Sequence, residues 1–123
     1  MGSSHLTSFS FPSSERLKGS KCFDRVFREG YSLQSSHFVV LFVRNDLNDN
    51  RLGIMIRRKF GKAHDRNRLR RWIRETYRLT KPYTVKGFDI VVLPRKALSD
   101  VFTKVSFHQV FEELSELYKR IGA

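Results

Sequence analysis

Residues able to do chemistry concentrate between Arg51 and Arg78. That stretch holds eleven basic residues (Arg51, Arg57, Arg58, Lys59, Lys62, Arg66, Arg68, Arg70, Arg71, Arg74, Arg78) and two acids, Asp65 and Glu75. It therefore carries nearly half of the chain's 24 Lys and Arg. At 100° per residue on a helix, Asn67, Arg70, Arg71, Arg74 and Arg78 share an arc of about 100°. Arg66 and Arg68 flank the arc, and Leu69, Trp72, Ile73 and Tyr77 lie opposite as an apolar stripe. A solvated helix face usually mixes signs, because like charges at i,i+4 repel by a few tenths of a kcal/mol per pair. Arg70–Arg74 and Arg74–Arg78 are two such like-charge pairs. A bound polyanion would screen them, and the planar fork of Arg suits bidentate phosphate contact and base stacking. The chemistry indicated is nucleic-acid binding.

Other groupings support less. His5, His37, His64 and His108 are scattered, with no H-x-x-x-H or Cys pairing for zinc. His64 neighbours the basic helix, where either phosphate contact or plain solvation fits. Asp46–Asn50 reads D-x-N-x-N, but Arg51 stands where a calcium loop needs Gly and Arg57 where it needs Glu. Glu112, Glu113 and Glu116 are expected on the solvent side of a helix, and Asp89 lies in a strand without a carboxylate partner in sequence. Cys22 reads as inert packing. No catalytic constellation or metal site of the protein's own is predicted.

The whole chain suits such a binder. It has 123 residues, 40% hydrophobic and 13% aromatic, with a formal net charge of +12. That is enough apolar material for one packed domain, with a charge that attracts polyanions and disfavours self-association at low salt. The free protein is expected to be monomeric. A single cysteine, no long apolar run and no signal-peptide layout suggest a cytoplasmic protein without membrane contact. Met1–His5 resembles an expression-vector remnant, residues 1–14 are assigned to a flexible arm, and 15–123 to the domain.

Elements must position the basic helix. The Ser-rich stretch up to about Lys18 reads as a tail or extended arm. Phe23, Val26 and Phe27 make one stripe of a first helix, Ser20 to Glu29, with Ser20 as cap and Gly30 as left-handed stop. Tyr31 to Arg44 reads as one long strand, and NDLNDN (45–50) as a turn. Arg51 to about Phe60 then reads as a second strand, antiparallel to the first. The basic helix spans about Ala63 to Leu79 and ends at Lys81-Pro82. FDIVVL (88–93) is a buried strand closed by Pro94. Ser99-Asp100 suits the cap of a single helical turn. Ser106 and Gln109 form a capping-box pattern before a final helix with Phe107, Val110, Phe111, Leu114, Leu117, Tyr118 and Ile121 on one stripe and Gly122 as its stop. The sum is an α+β domain, three or four strands packed by helices.

RNA is favoured over DNA, since no helix-turn-helix, zinc-finger or zipper spacing occurs. RLGIMIRRKFGKAHDRNRLRRWIRE (51–75) resembles the signature of the bacterial ribonuclease P protein family, with Arg66-Asn67-Arg68 as its RNR element. Phe23, Val26, Phe27 and Gly30 resemble the family's F-x-x-V-F-x-x-G helix, and GFDIVVLPRK (87–96) its last strand. The resemblance spans about residue 15 to the C-terminus. It implies a fold like the second domain of ribosomal protein S5, with a mostly antiparallel sheet. It also implies a left-handed βαβ crossover through the RNR helix, against the usual right-handed rule. It implies partnership with a catalytic RNA that, with Mg²⁺, removes the 5′ leader of precursor tRNA. Arg66, Asn67, Arg68, Arg70, Arg71 and Arg74 would contact the RNA subunit. Phe23, Phe27, Arg57, Arg58, Arg95 and Lys96 would line a groove for the single-stranded leader. Some relatives carry an aromatic where Leu41 aligns. By the residues alone, Phe23 and Phe27 suit core packing better than a binding role. The alternative class is a ribosomal-type structural RNA-binding protein with no enzymatic partner.

Overall fold

A computed structural model describes residues 11–122. Readings that fall on residues 1–10, including the vector remnant and His5, lie outside the described residues. The helices are α1 (Ser20–Glu29), α2 (Ala63–Thr80), α3 (Lys96–Val101) and α4 (Phe107–Arg120). The strands are β1 (Tyr31–Gln34), β2 (Phe38–Arg44), β3 (Arg51–Ile54) and β4 (Phe88–Pro94), in one sheet of order β1-β2-β4-β3.

The sheet order corrects the expected hairpin of β2 with β3, while the parallel β3–β4 pair joined through α2 is the one the family resemblance implies. β2 does not pair with β3; β4 lies between them, antiparallel to β2 and parallel to β3. The reason is in β4, whose first five residues, Phe88 to Val92, are all buried. A strand apolar on both faces belongs in the middle of a sheet, with a neighbour on each side. The 45–50 turn carries the chain past the end of β4 and is tied to it by asparagines. Asn45 Nδ2 donates to Asp89 Oδ1 at 3.0 Å, and buried Asn50 accepts from the Phe88 N–H at 2.8 Å. Arg51 then grips the buried Asp89 with two bonds of 2.7 Å. Asp89 therefore anchors the β3–β4 pair.

Boundaries differ in instructive places. The long strand 31–44 is two antiparallel strands, broken at Ser35–His37. The strand from Arg51 ends at Ile54, and Arg58–Phe60 is a 3-10 turn. Gly19, not Ser20, occupies the cap of α1, and Ser20 is its first helical residue. Gly30 is not left-handed (φ −78°). It is required for close approach instead, because a Cβ there would stand 2.4 Å from the Val26 carbonyl oxygen. Ser99 and Asp100 lie within α3 rather than capping a turn. The capping box of α4 is present, with the Ser106 hydroxyl accepting from the Gln109 N–H at 3.2 Å.

Alternation along the strands sorts side chains to two faces. Phe38, Val40, Phe42, Leu52, Ile90 and Val92 meet Leu69, Ile73 and Tyr77 of α2 and Leu114, Leu117 and Tyr118 of α4 in the main core. On the other face, Val43 and Val91 pack with Val26 of α1 and with Leu17, while Leu41, Met55 and Leu93 are only partly buried. The segment before α1 is an arm that is docked. Leu17 N–H donates to the Leu52 carbonyl at 2.9 Å, which covers the edge of β3. Buried Glu15 accepts from Tyr77 Oη at 2.9 Å and from Lys81 Nζ at 3.0 Å.

Candidate RNA interface

The main core dictates how α2 is turned. With Leu69 and Ile73 fully buried, the opposite side of the helix must face out, and it carries the arginines. Asn67 and Arg71 are exposed, and Arg66, Arg68, Arg70 and Arg74 are half-buried. All six predicted RNA-subunit contacts therefore sit on one convex element. Few acids interrupt it. Glu75 is engaged by Arg78 (Nε to Oε1 3.1 Å), and Asn67 accepts from Arg70 at 3.3 Å. The Arg66 Nε is shielded from solvent and has no hydrogen-bond partner among the described residues. Burial and the cations Arg16, Arg70 and Arg71 lower the pKa of Arg74. Arg16 belongs to the docked arm, so the arm adds to this positive field. His64, at the start of α2, is exposed and lies 3.3 Å from Asp65.

A second region is concave. On the sheet face that α1 covers only in part lies a groove of about 720 Å³. Val39, Leu41, Met55 and Leu93 make an apolar floor, Phe27 stands on one side, and Phe60 and α3 on the other. Arg57, Lys59, Arg95 and Lys96 also line it, against one acid among the described residues, Asp100, which lies 3.4 Å from Lys96. Phe27 is 45% exposed, so its ring is not spent on core packing.

Four of the six predicted groove residues come together here: Phe27, Arg57, Arg95 and Lys96. Phe23 and Arg58 do not line the groove. The Phe23 ring packs over Gly53 of β3, where an added Cβ would stand 2.5 Å from it. Arg58 is exposed at the start of the 3-10 turn. Sequence reasoning missed Met55, Lys59 and Phe60 as groove residues. Lys59 was available as part of the basic run 57–59, whereas no spacing rule distinguished Met55 or Phe60 from core.

Comparison with known proteins decides the family. Residues 11–122 match the family Ribonuclease P. The ribonuclease P protein component of Thermotoga petrophila is 54% identical over 112 residues, covering 91% of this chain and 96% of the relative. The chain belongs to the ribonuclease P protein family. The structure of the ribonuclease P protein from Thermotoga maritima superposes with a TM-score of 0.84 at 52% identity, covering 89% of this chain and 99% of that one. The protein from Staphylococcus aureus gives 0.76 at 30% identity, covering 87% and 94%. As a ribonuclease P protein the chain is part of an endoribonuclease of tRNA processing, which sets aside the ribosomal-type alternative. Among the described residues no helix is long and apolar enough to cross a membrane.

Proposed function

We propose that this chain is the non-catalytic, RNA-binding subunit of ribonuclease P, acting as a monomer in the bacterial cytoplasm. In this reading the convex face of α2 binds the catalytic RNA through Arg66, Asn67, Arg68, Arg70, Arg71 and Arg74. The groove holds the single-stranded 5′ leader of precursor tRNA. The observation that carries this reading is the pairing of two unlike basic surfaces on one small domain. A convex row of arginines suits the phosphates of folded RNA. A concave apolar floor beside an exposed aromatic ring, rimmed by cations, suits unpaired bases and their backbone.

Within the groove, Phe27 offers a stacking face, and Arg57, Arg95 and Lys96 meet leader phosphates. Phe23 serves by holding α1 over β3. Hydrolysis falls to the RNA subunit and its Mg²⁺. Among the described residues no three His, Cys, Asp or Glu side chains converge in a way that could hold a metal ion. The protein's contribution is to bind and orient the leader beside the RNA.

The test is cleavage of a precursor tRNA by a bacterial ribonuclease P RNA alone, by this protein alone and by the two together at low Mg²⁺. Activity confined to the mixture, with the cut at the mature 5′ end, is expected. Cutting by the protein alone would overturn the division of labour. A mixture no better than RNA alone, with a cognate RNA, would overturn the subunit assignment.

A further inference from the structure

We propose that Glu113 of α4, which does not line the groove, is a positioning residue that fixes Arg95 at the groove rim. The proposal rests on the leader-groove reading above. Arg95 directly follows β4, and two bonds tie it to the turn between β1 and β2. Its backbone N–H donates to the His37 carbonyl at 2.8 Å, and its Nη1 donates to the Ser35 carbonyl at 2.8 Å. That turn, Ser35 to His37, is in turn organised by one carboxylate. Glu113 accepts from the Ser35 hydroxyl, from the His37 N–H at 2.8 Å, and bonds His37 Nδ1 at 2.7 Å. The Ser35 hydroxyl oxygen also accepts from the Phe38 N–H at 3.2 Å, which closes the turn at the start of β2.

The chain of contacts therefore runs from α4, past the end of β2, to a guanidinium on the other side of the sheet. A flexible Arg loses rotamer entropy whenever it is ordered on a ligand. Anchoring Nη1 on Ser35 removes part of that cost before RNA arrives, and the other guanidinium N–H groups, which have no hydrogen-bond partner among the described residues, can meet a phosphate. The Glu113 carboxylate is half-buried, and its one ion-pair partner among the described residues is His37. Among the described residues, the hydrogen bonds it accepts all come from this turn. A carboxylate placed on the face of a helix that a sequence reading assigns to solvent thus has a structural task linked to the groove.

The experiment uses the reconstituted holoenzyme and reads the ratio of affinities for leader-bearing precursor and leaderless tRNA. Glu113→Ala is expected to lower that ratio about fivefold, equivalent to about 1 kcal/mol, with Arg95→Ala at least as damaging. The double variant should be no worse than Arg95→Ala alone, because the effect of Glu113 passes through Arg95. Glu113→Gln, which keeps an acceptor for the turn, should recover part of the ratio. A thermal melt of each variant identifies loss of folding, and in that event Glu113→Gln alone carries the comparison. Independent, multiplying effects of the two substitutions would overturn the proposal. So would an unchanged ratio in Glu113→Ala beside a lowered one in Arg95→Ala. If Phe27→Ala and Arg95→Ala both leave the ratio unchanged, the leader groove itself fails and the proposal falls with it. If Phe27→Ala lowers it and Arg95→Ala does not, the groove stands and only the present proposal is lost.

Discussion

The two faces of the sheet begin alike and end differently. Both present alternate apolar side chains of β2 and β4, yet α2 and α4 seal one face while α1 covers only part of the other. On the sealed face, burial becomes stability and fixes which side of α2 looks outward. On the open face, Leu41, Met55 and Leu93 keep apolar surface within reach of solvent, beside cations. Apolar area left among positive charges contributes little to folding and is suited to a ligand with flat rings and a charged backbone. One face stabilises the domain so that the other can remain unfinished.

The comparison breaks first, and most heavily, at Ile73. It is fully buried beneath α2, and Ile73→Ala should cost about 2–5 kcal/mol of stability, as a core truncation does. Leu41→Ala on the open face should cost less than about 1.5 kcal/mol, because its site is already partly exposed. Urea unfolding of both variants checks this; equal losses would mean that the open face is a core like the other. Next in size is the outward side of α2. Arg71→Ala with Arg74→Ala should weaken binding to the RNA subunit on the order of tenfold. It should also make the log–log salt slope shallower by about two, roughly one for each phosphate that no longer meets an arginine. A slope that does not move would remove these arginines from the interface.

How far the sequence reveals this division depends on the kind of signal. The α2 stripe and its arginines are legible because a helix reports both its sides in one period. The capping box at Ser106 and the stop at Gly122 (φ 75°) are local, and local chemistry is readable. The order of the strands is not. A six-residue turn between two apolar runs suggests a hairpin, and only the two-faced burial of β4, a tertiary matter, places it between β2 and β3. The same holds for Phe23 and Phe27. They share one helical stripe, four residues apart, and no periodicity separates them. What separates them is what lies beneath: Phe23 lands on Gly53, while Phe27 reaches beyond the sheet contact into the groove. The groove is likewise assembled from β2, β4, α1, α3 and the 3-10 turn, none of which announces it alone.

Phe27 offers a way to sharpen the comparison at smaller scale. If its exposed ring stacks on a leader base, Phe27→Ala should weaken precursor binding by about 1 kcal/mol relative to leaderless tRNA, the lower end of what stacking on one base contributes. Thermal stability should change little, since the ring is 45% exposed. Leu41→Tyr would place a ring on the aliphatic floor between Phe27 and Phe60 and should raise leader affinity modestly. Comparative binding with and without the leader measures both. A large loss of stability in Phe27→Ala, with no change in leader discrimination, would return this ring to the core.

The smallest expected effect concerns acid stability where the two faces meet at the Ser35–His37 turn. Burial alone would push the Glu113 carboxyl up, but hydrogen bonds from Ser35 and from the ring and backbone of His37 outweigh it and hold the pKa below the ordinary carboxylate value. A carboxyl depressed in the folded state favours folding at pH values above its unfolded pKa, about 4.3. That contribution disappears as pH falls through the lower, folded value. Wild type should therefore lose melting temperature more steeply below about pH 4.3 than Glu113→Gln, which has no proton to take up. At neutral pH wild type should be the more stable of the two, and the difference should shrink in acid. Melting curves between about pH 2.5 and 7 measure this. Parallel pH profiles for the two proteins would show that the turn does not depend on the charge of Glu113, and the route from α4 to the groove rim would then rest on hydrogen bonding alone.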